Sequence, residues 1–72
     1  DVVSDIIDIA IKEGLIAAGG AWYTLVDPET GEVFKKDGKD LKFQGKAKLR
    51  DFLLENNDWL EDLKEQILLK FS

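Results

Sequence analysis

The sequence has no cysteine, no histidine and no methionine, and only one proline among its 72 residues. Without cysteine the chain has no disulfide framework and no thiolate metal site. Without histidine it lacks the usual general base and the commonest metal ligand. Because methionine is missing even at position 1, we expect the chain to be a piece of a longer protein.

Long apolar runs are also absent, and none approaches the roughly 20 residues that span a bilayer. The acidic N-terminus is unlike the basic start of a signal peptide. We therefore expect no membrane partner. The length predicts one domain over residues 1–72. A composition of 44% hydrophobic and 35% charged residues suits a folded domain.

Positive charge is concentrated in one stretch, residues 35–50. This stretch holds seven of the ten Lys and Arg residues and carries +5, whereas the rest of the chain carries −10. Such a polarised surface points to a charged partner. The alternative is a lysine-rich face that contacts only solvent.

The first segment predicts an amphipathic helix that begins at an N-cap of Asp1 or Ser4 and ends at Gly14. Ile9 broadens its buried stripe. The stripe consists of Val3, Ile6, Ile7, Ala10 and Ile11.

Three short strands are predicted next, at residues 21–26, 32–36 and 41–44, joined as an antiparallel meander. Residues 27–31 and Asp37-Gly38 provide turn residues. Residues 17–20 predict a small flexible connection. Lys42 is expected to point outward.

Two helices complete the chain. The first starts at Lys46 and buries Leu49, Phe52 and Leu53, and Asn56-Asn57 separates it from the last. Asp58 and Glu61 have the spacing of a capping box. The last helix is expected to bury Leu60, Leu63, Ile67, Leu68 and Phe71. The predicted fold class is α+β, with one N-terminal helix, a three-stranded antiparallel sheet and two C-terminal helices.

No catalytic site or cofactor is predicted. The chain has no GxxxxGK[ST] phosphate loop, and residues 37–40 lack the ligand spacing of a calcium loop. Carboxylate pairs one helical turn apart are expected from an acidic composition alone.

The strongest candidate site is Gln44-Gly45-Lys46 at the start of a helix. Free backbone N–H groups, a glycine and a lysine together suit a phosphate. Lys42 and Arg50 would extend the site along a phosphate backbone. Trp22 and Tyr23 suit base stacking, although an aromatic pair in a small strand more often belongs to the core.

Two stretches resemble the C-terminal domain of RecA-family recombinases. Residues 7–25 are similar to its I-D-x-[GA]-[VI] helix, its G-[IL]-I turn and its G-A-W-[YF]-[ST] strand. Residues 43–46 and 53–58 are similar to its G-Q-G-[KR] junction and to the helix end L-x-[ED]-N-P-E. The resemblance covers nearly the whole chain.

The resemblance implies a lobe of three helices and a three-stranded sheet that captures duplex DNA weakly and feeds it into a recombinase filament. Partners would be double-stranded DNA, the ATPase core of the parent protein and neighbouring filament subunits, in the cytoplasm. ATP hydrolysis would belong to that core, so this domain is not expected to be an enzyme. The candidate DNA-binding residues are Lys35, Lys36, Lys39, Lys42, Gly45, Lys46, Lys48 and Arg50.

The sequence departs from the family pattern at two informative places. Ala18 replaces a basic residue that the family often carries four places before its tryptophan. The hairpin between Tyr23 and Gln44 is longer by about a dozen residues and brings Lys35, Lys36 and Lys39. An alternative hypothesis is a protein-interaction lobe that docks through acidic helix faces, such as Glu61, Asp62 and Glu65.

Overall fold

The computed structural model describes all 72 residues, and it confirms the α+β class. Three helices pack against a three-stranded antiparallel sheet. The helices are α1 (Val2–Lys12), α2 (Lys46–Glu55) and α3 (Asn57–Lys70). The strands are β1 (Ile16–Gly19), β2 (Trp22–Leu25), β3 (Lys35–Lys36), β4 (Lys39–Asp40) and β5 (Lys42–Gln44). No helix is long and apolar enough to cross a membrane.

Helix α1 has well-defined ends. Asp1 is the N-cap, and its Oδ1 accepts a hydrogen bond from the Val3 N–H at 2.9 Å. At the other end the N–H groups of Gly14 and Leu15 bond back to the carbonyls of Ile11 and Ala10. This is a Schellman motif, in which Gly14 adopts a positive φ of 79°. The motif turns the chain sharply, so that Leu15 and Ile16 enter the core.

The sheet has the order β1-β2-β5, which corrects the predicted meander. The predicted flexible connection at residues 17–20 is largely strand β1, paired with β2 from Ile16↔Leu25 to Gly19↔Trp22. Alanine and glycine have little intrinsic β preference, so backbone pairing with β2 determines this strand. The predicted third strand is confirmed as β5, which pairs with the other edge of β2.

Residues 26–41 form a separate excursion, which we call the arm. The predicted strand at residues 32–36 does not join the main sheet beyond a single bridge between Val26 and Val33. Instead β3 pairs with β4 across Asp37-Gly38. Both turn residues have positive φ, as a two-residue hairpin loop of type I′ requires. The ends of this hairpin stay at the end of β2, because the Phe34 N–H donates to the Leu25 carbonyl and the Leu25 N–H donates to the Leu41 carbonyl.

The core contains 12 buried apolar residues from all three helices, from β1 and β2, and from Leu15 and Leu41 in the connecting segments. The predicted interior positions of α2 are confirmed, because Leu49 and Leu53 are fully buried and Phe52 packs against the core. In α3 the buried positions are Leu60, Leu63 and Ile67. Leu68 is 69% exposed and Phe71, the C-cap beyond the last turn of α3, is 71% exposed, so the prediction that these two are interior is wrong. Ile9 on α1 is likewise exposed.

The capping box predicted at Asp58 and Glu61 is also wrong. Helix α3 begins at Asn57, and its N-cap is Asn56, two residues before the predicted cap. The Asn56 side chain makes no capping bond to α3 and instead donates to the Phe52 carbonyl of α2 at 2.9 Å. The two helices are therefore joined by a single non-helical residue, which leaves Asp58 already inside the first turn.

Candidate nucleic-acid interface

The junction between β5 and α2 is defined by Gly45. Its φ of 94° and ψ of 143° suit glycine and strain other residues. Its N–H donates to the Ala21 carbonyl at 2.7 Å, which ties the junction to the start of β2. The helix N-terminus consequently emerges from a fixed position at the edge of the sheet.

The N-terminus of α2 has no protein group that satisfies it. No side chain caps it, and no acidic residue lies in its first turn. The first backbone N–H groups of a helix have no intrahelical partner and carry a partial positive charge. The other two helices each have an aspartate in the first turn, Asp5 in α1 and Asp58 in α3. This end of α2 therefore favours an anion more strongly than the other two.

Lys46 and Arg50 lie one turn apart on α2 and both contact α1. Lys46 forms a salt bridge with Asp8. Arg50 forms one with Asp1, and its Nε donates to Asp1 Oδ2 at 2.6 Å. The side chains of both basic residues are 37% exposed. These contacts offset the unfavourable position of a lysine in a first helical turn and place two predicted site residues at the α1–α2 seam.

Lys42 and Trp22 meet on the outward face of the sheet. The Lys42 Nζ lies 4.9 Å from the centre of the Trp22 ring, within cation–π range. Trp22 is 42% exposed, whereas Tyr23 on the opposite face packs against the core. The expectation that both aromatics are interior is thus correct for Tyr23 only. Strand alternation explains the difference, because neighbouring residues point to opposite faces.

Lys48 is exposed in the first turn of α2 and makes no salt bridge. Lys42 also lacks an acidic partner within salt-bridge distance. We call Trp22, Lys42, Gly45, Lys46 and Lys48 the junction surface. From sequence, exposure of Trp22 for base stacking is only an alternative to a place in the core, because the sequence does not determine which face of β2 is buried.

The three remaining lysines of the predicted site belong to the arm. Lys35 lies 3.8 Å from Asp40, and Lys36 lies 3.3 Å from Asp37, in solvent-exposed pairs. Lys39 is exposed and has no acidic partner. Two of the three arm lysines are thus paired locally within their own hairpin.

Comparison with known proteins places this chain in a family. The model of the RecA C-terminal domain matches residues 4–72. Protein RecA of Salinispora tropica is 34% identical over 67 residues, which cover 93% of this chain and 16% of the relative. Protein RecA of Corynebacterium aurimucosum is 31% identical over 69 residues, which cover 96% of this chain and 15% of the relative. Protein RecA of Mycobacterium bovis is 32% identical over 67 residues, which cover 93% of this chain and 7% of the relative.

The chain therefore belongs to the RecA C-terminal domain family. It spans about a sixth or less of the length of these three relatives. No solved structure matches it. The predicted family membership is confirmed.

Proposed function

We propose that this domain captures duplex DNA weakly for a RecA-like recombinase, in homologous recombination and repair. The observation that carries the proposal is the uncapped N-terminus of α2, flanked by Lys46 and Lys48 and preceded by Gly45. Backbone N–H groups and lysines hold phosphates without reading bases. Membership of the RecA C-terminal domain family supports the same role.

In this proposal Lys42, Lys48 and the helix N-terminus form the first contacts with the phosphate backbone. Lys46 and Arg50 join them in one of two ways. Each leaves its carboxylate partner, Asp8 or Asp1, for a phosphate, or it contacts the carboxylate and the phosphate together. Trp22 provides an exposed ring that suits contact with a sugar, and Lys42 beside it attracts the phosphate backbone. Lys35, Lys36 and Lys39 are weaker candidates on the arm, whose five acidic residues outnumber its three lysines.

The net charge of −5 keeps such binding weak, because most of the surface repels DNA. Each phosphate neutralised on duplex DNA contributes a slope of about −0.9 to the dependence of log affinity on log salt. Binding is therefore expected at low salt and is expected to fall steeply at physiological salt. ATP hydrolysis and strand exchange would be carried out by other parts of a recombinase, to which this domain delivers duplex.

A chemical-shift titration with a short duplex at low salt tests the proposal. The amides of residues 45–50 and the Trp22 indole N–H are expected to shift in a saturable manner. Lys48→Glu should weaken binding, whereas Lys70→Glu at the far end of α3 makes the same charge change away from the junction surface. Unmoved amides at residues 45–50, or equal losses in both variants, would contradict the proposal.

A further inference from the structure

A cavity of about 250 Å³ lies between the arm and α3, outside the junction surface. Phe34 of the arm and Trp59 of α3 line it, and Leu63 contributes to its apolar lining. Glu29 and Asp62 bring carboxylates to the same cavity from the arm and the helix. This volume is below the roughly 300–1,000 Å³ of typical small-molecule pockets, so it suits a single side chain.

The lining contains acidic residues but no lysine or arginine. Glu29 and Asp62 have no basic partner within salt-bridge distance. Asp27, a third acidic lining residue, is already engaged, because its Oδ1 accepts hydrogen bonds from the Glu29 and Thr30 N–H groups at 2.8 and 3.3 Å. Two unpaired carboxylates beside aromatic and aliphatic lining residues therefore favour a cation with a flat or apolar body.

The two aromatic rings of the cavity suit the flat or apolar body of such a cation. The centres of Phe34 and Trp59 are 5.9 Å apart, and their planes are inclined by 58°. Phe34 remains 37% exposed, so one of its surfaces is accessible. Aromatic faces attract guanidinium groups by stacking and by cation–π contact. Arginine fits better than lysine, because its planar fork also pairs with carboxylates in a bidentate manner.

We propose that this cavity binds an arginine side chain from a basic segment of a partner protein. The guanidinium would stack on Trp59 or Phe34 and donate hydrogen bonds to Glu29 and Asp62. The inference goes beyond DNA capture and does not depend on it, because it uses no residue of the junction surface. It also sharpens the hypothesis of an acidic interaction lobe: Asp62 belongs to the cavity, whereas Glu61 pairs with Lys64 at 2.8 Å.

The test uses the 72-residue chain and the blocked peptide acetyl-Gly-Leu-Arg-Leu-Gly-amide, followed by NMR. The Trp59 indole N–H and the amides of residues 27–34 are expected to show saturable shifts. A peptide with citrulline in place of arginine keeps the shape without the charge and should bind at least about tenfold more weakly. The Glu29→Gln/Asp62→Asn variant should lose a similar factor.

A matched control is Asp51→Asn/Glu55→Gln, which removes two exposed carboxylates of α2 without touching the cavity. It should bind the peptide like the parent chain. Equal binding of the citrulline peptide, equal losses in the two acid variants, or shifts confined to other residues would each overturn the proposal. Self-association that is lost in Lys35→Gln/Lys36→Gln/Lys39→Gln would assign the cavity to a second copy and would also overturn it.

Discussion

The junction surface and the arm both carry lysines, but the structure supports them differently. The junction surface lies on β2, β5 and α2, and the α2 residues Leu49 and Leu53 are fully buried in the core. Between Val26 and Asp40 the arm contributes no buried residue at all. Backbone bonds from Leu25 and Leu41, together with the contact between Phe34 and Trp59, hold it to the body. Lysines therefore lie on well-packed elements in one region and on a lightly attached segment in the other.

This difference separates lysines beside a fixed helix start from lysines on a net acidic segment. In the proposed phosphate site the donors are the first N–H groups of α2, and Gly45, whose own N–H bonds to the Ala21 carbonyl, fixes where that helix begins. The arm, residues 26–41, carries a net charge of −2 because five acidic residues outnumber its three lysines, and its Phe34 closes one side of the acidic cavity. The three predictions that follow test this division, and the largest expected effect comes first.

Removing a buried leucine should affect the whole domain. Leu53→Ala is expected to lower the free energy of unfolding by about 2–5 kcal/mol, because it leaves a cavity at a fully buried site. Phe34→Ala on the arm should cost only about 1 kcal/mol, since its ring is partly exposed. Urea denaturation measures both. Equal losses would mean that the arm is part of the cooperative core.

Gly45→Ala should strain the junction. Nothing lies within 4 Å of an added Cβ, so its cost comes from the backbone conformation, at about 1–3 kcal/mol. Gly19→Ala is the matched control, because that residue also has open space but does not require a positive φ. Thermal unfolding of the two variants measures this difference in stability. If Gly45→Ala were as stable as Gly19→Ala, the junction would not be conformationally fixed.

Asp8→Asn should release Lys46 from its partner on α1. The loss of an exposed pair costs at most about 1 kcal/mol of stability. DNA affinity at low salt is expected to rise, and to rise more than in Asp5→Asn, which makes the same charge change on α1 without freeing a lysine. Fluorescence anisotropy with a labelled duplex measures both. Equal gains would indicate net charge alone and would exclude Lys46 from the contact.

Sequence patterns predicted the helices well, because their apolar spacing is strong. Val3, Ile7 and Ala10 repeat at helical spacing and are buried as expected. The ends of α3 were less predictable. A buried stripe of Leu60, Leu63 and Ile67 is followed by two leucines and a phenylalanine, and sequence alone does not show which of these face solvent.

The sheet was harder to predict, because its strand order depends on long-range pairing. Residues 16–19 are poor in β-forming side chains and become a strand only by pairing with β2. The arm offered a more strand-like sequence at residues 32–36, yet the tight turn at Asp37-Gly38 pairs Lys35 and Lys36 with Lys39 and Asp40. Local propensity therefore favoured the wrong neighbour for β2.

The residues of the predicted phosphate site, Gly45 and Lys46, could be chosen from sequence because both lie in one local motif, and phosphate binding there stays a prediction. Two of its features were not recognisable. The salt bridges from Lys46 and Arg50 join residues 38 and 49 positions apart, and the side of β2 that exposes Trp22 depends on the helices beneath the sheet. The acidic cavity also could not be predicted from sequence, since it is formed by the arm and α3 together.

The most direct test of the account compares the salt dependence of duplex binding in two double variants. Lys42→Gln/Lys48→Gln removes two charges from the junction surface, and Lys36→Gln/Lys39→Gln removes two from the arm. The account predicts that the junction variant loses about 1.8 from the slope of log affinity against log salt, at about 0.9 per phosphate contact, while the arm variant keeps nearly the parent slope. An unchanged slope in the junction variant, or an equal loss in both, would contradict it.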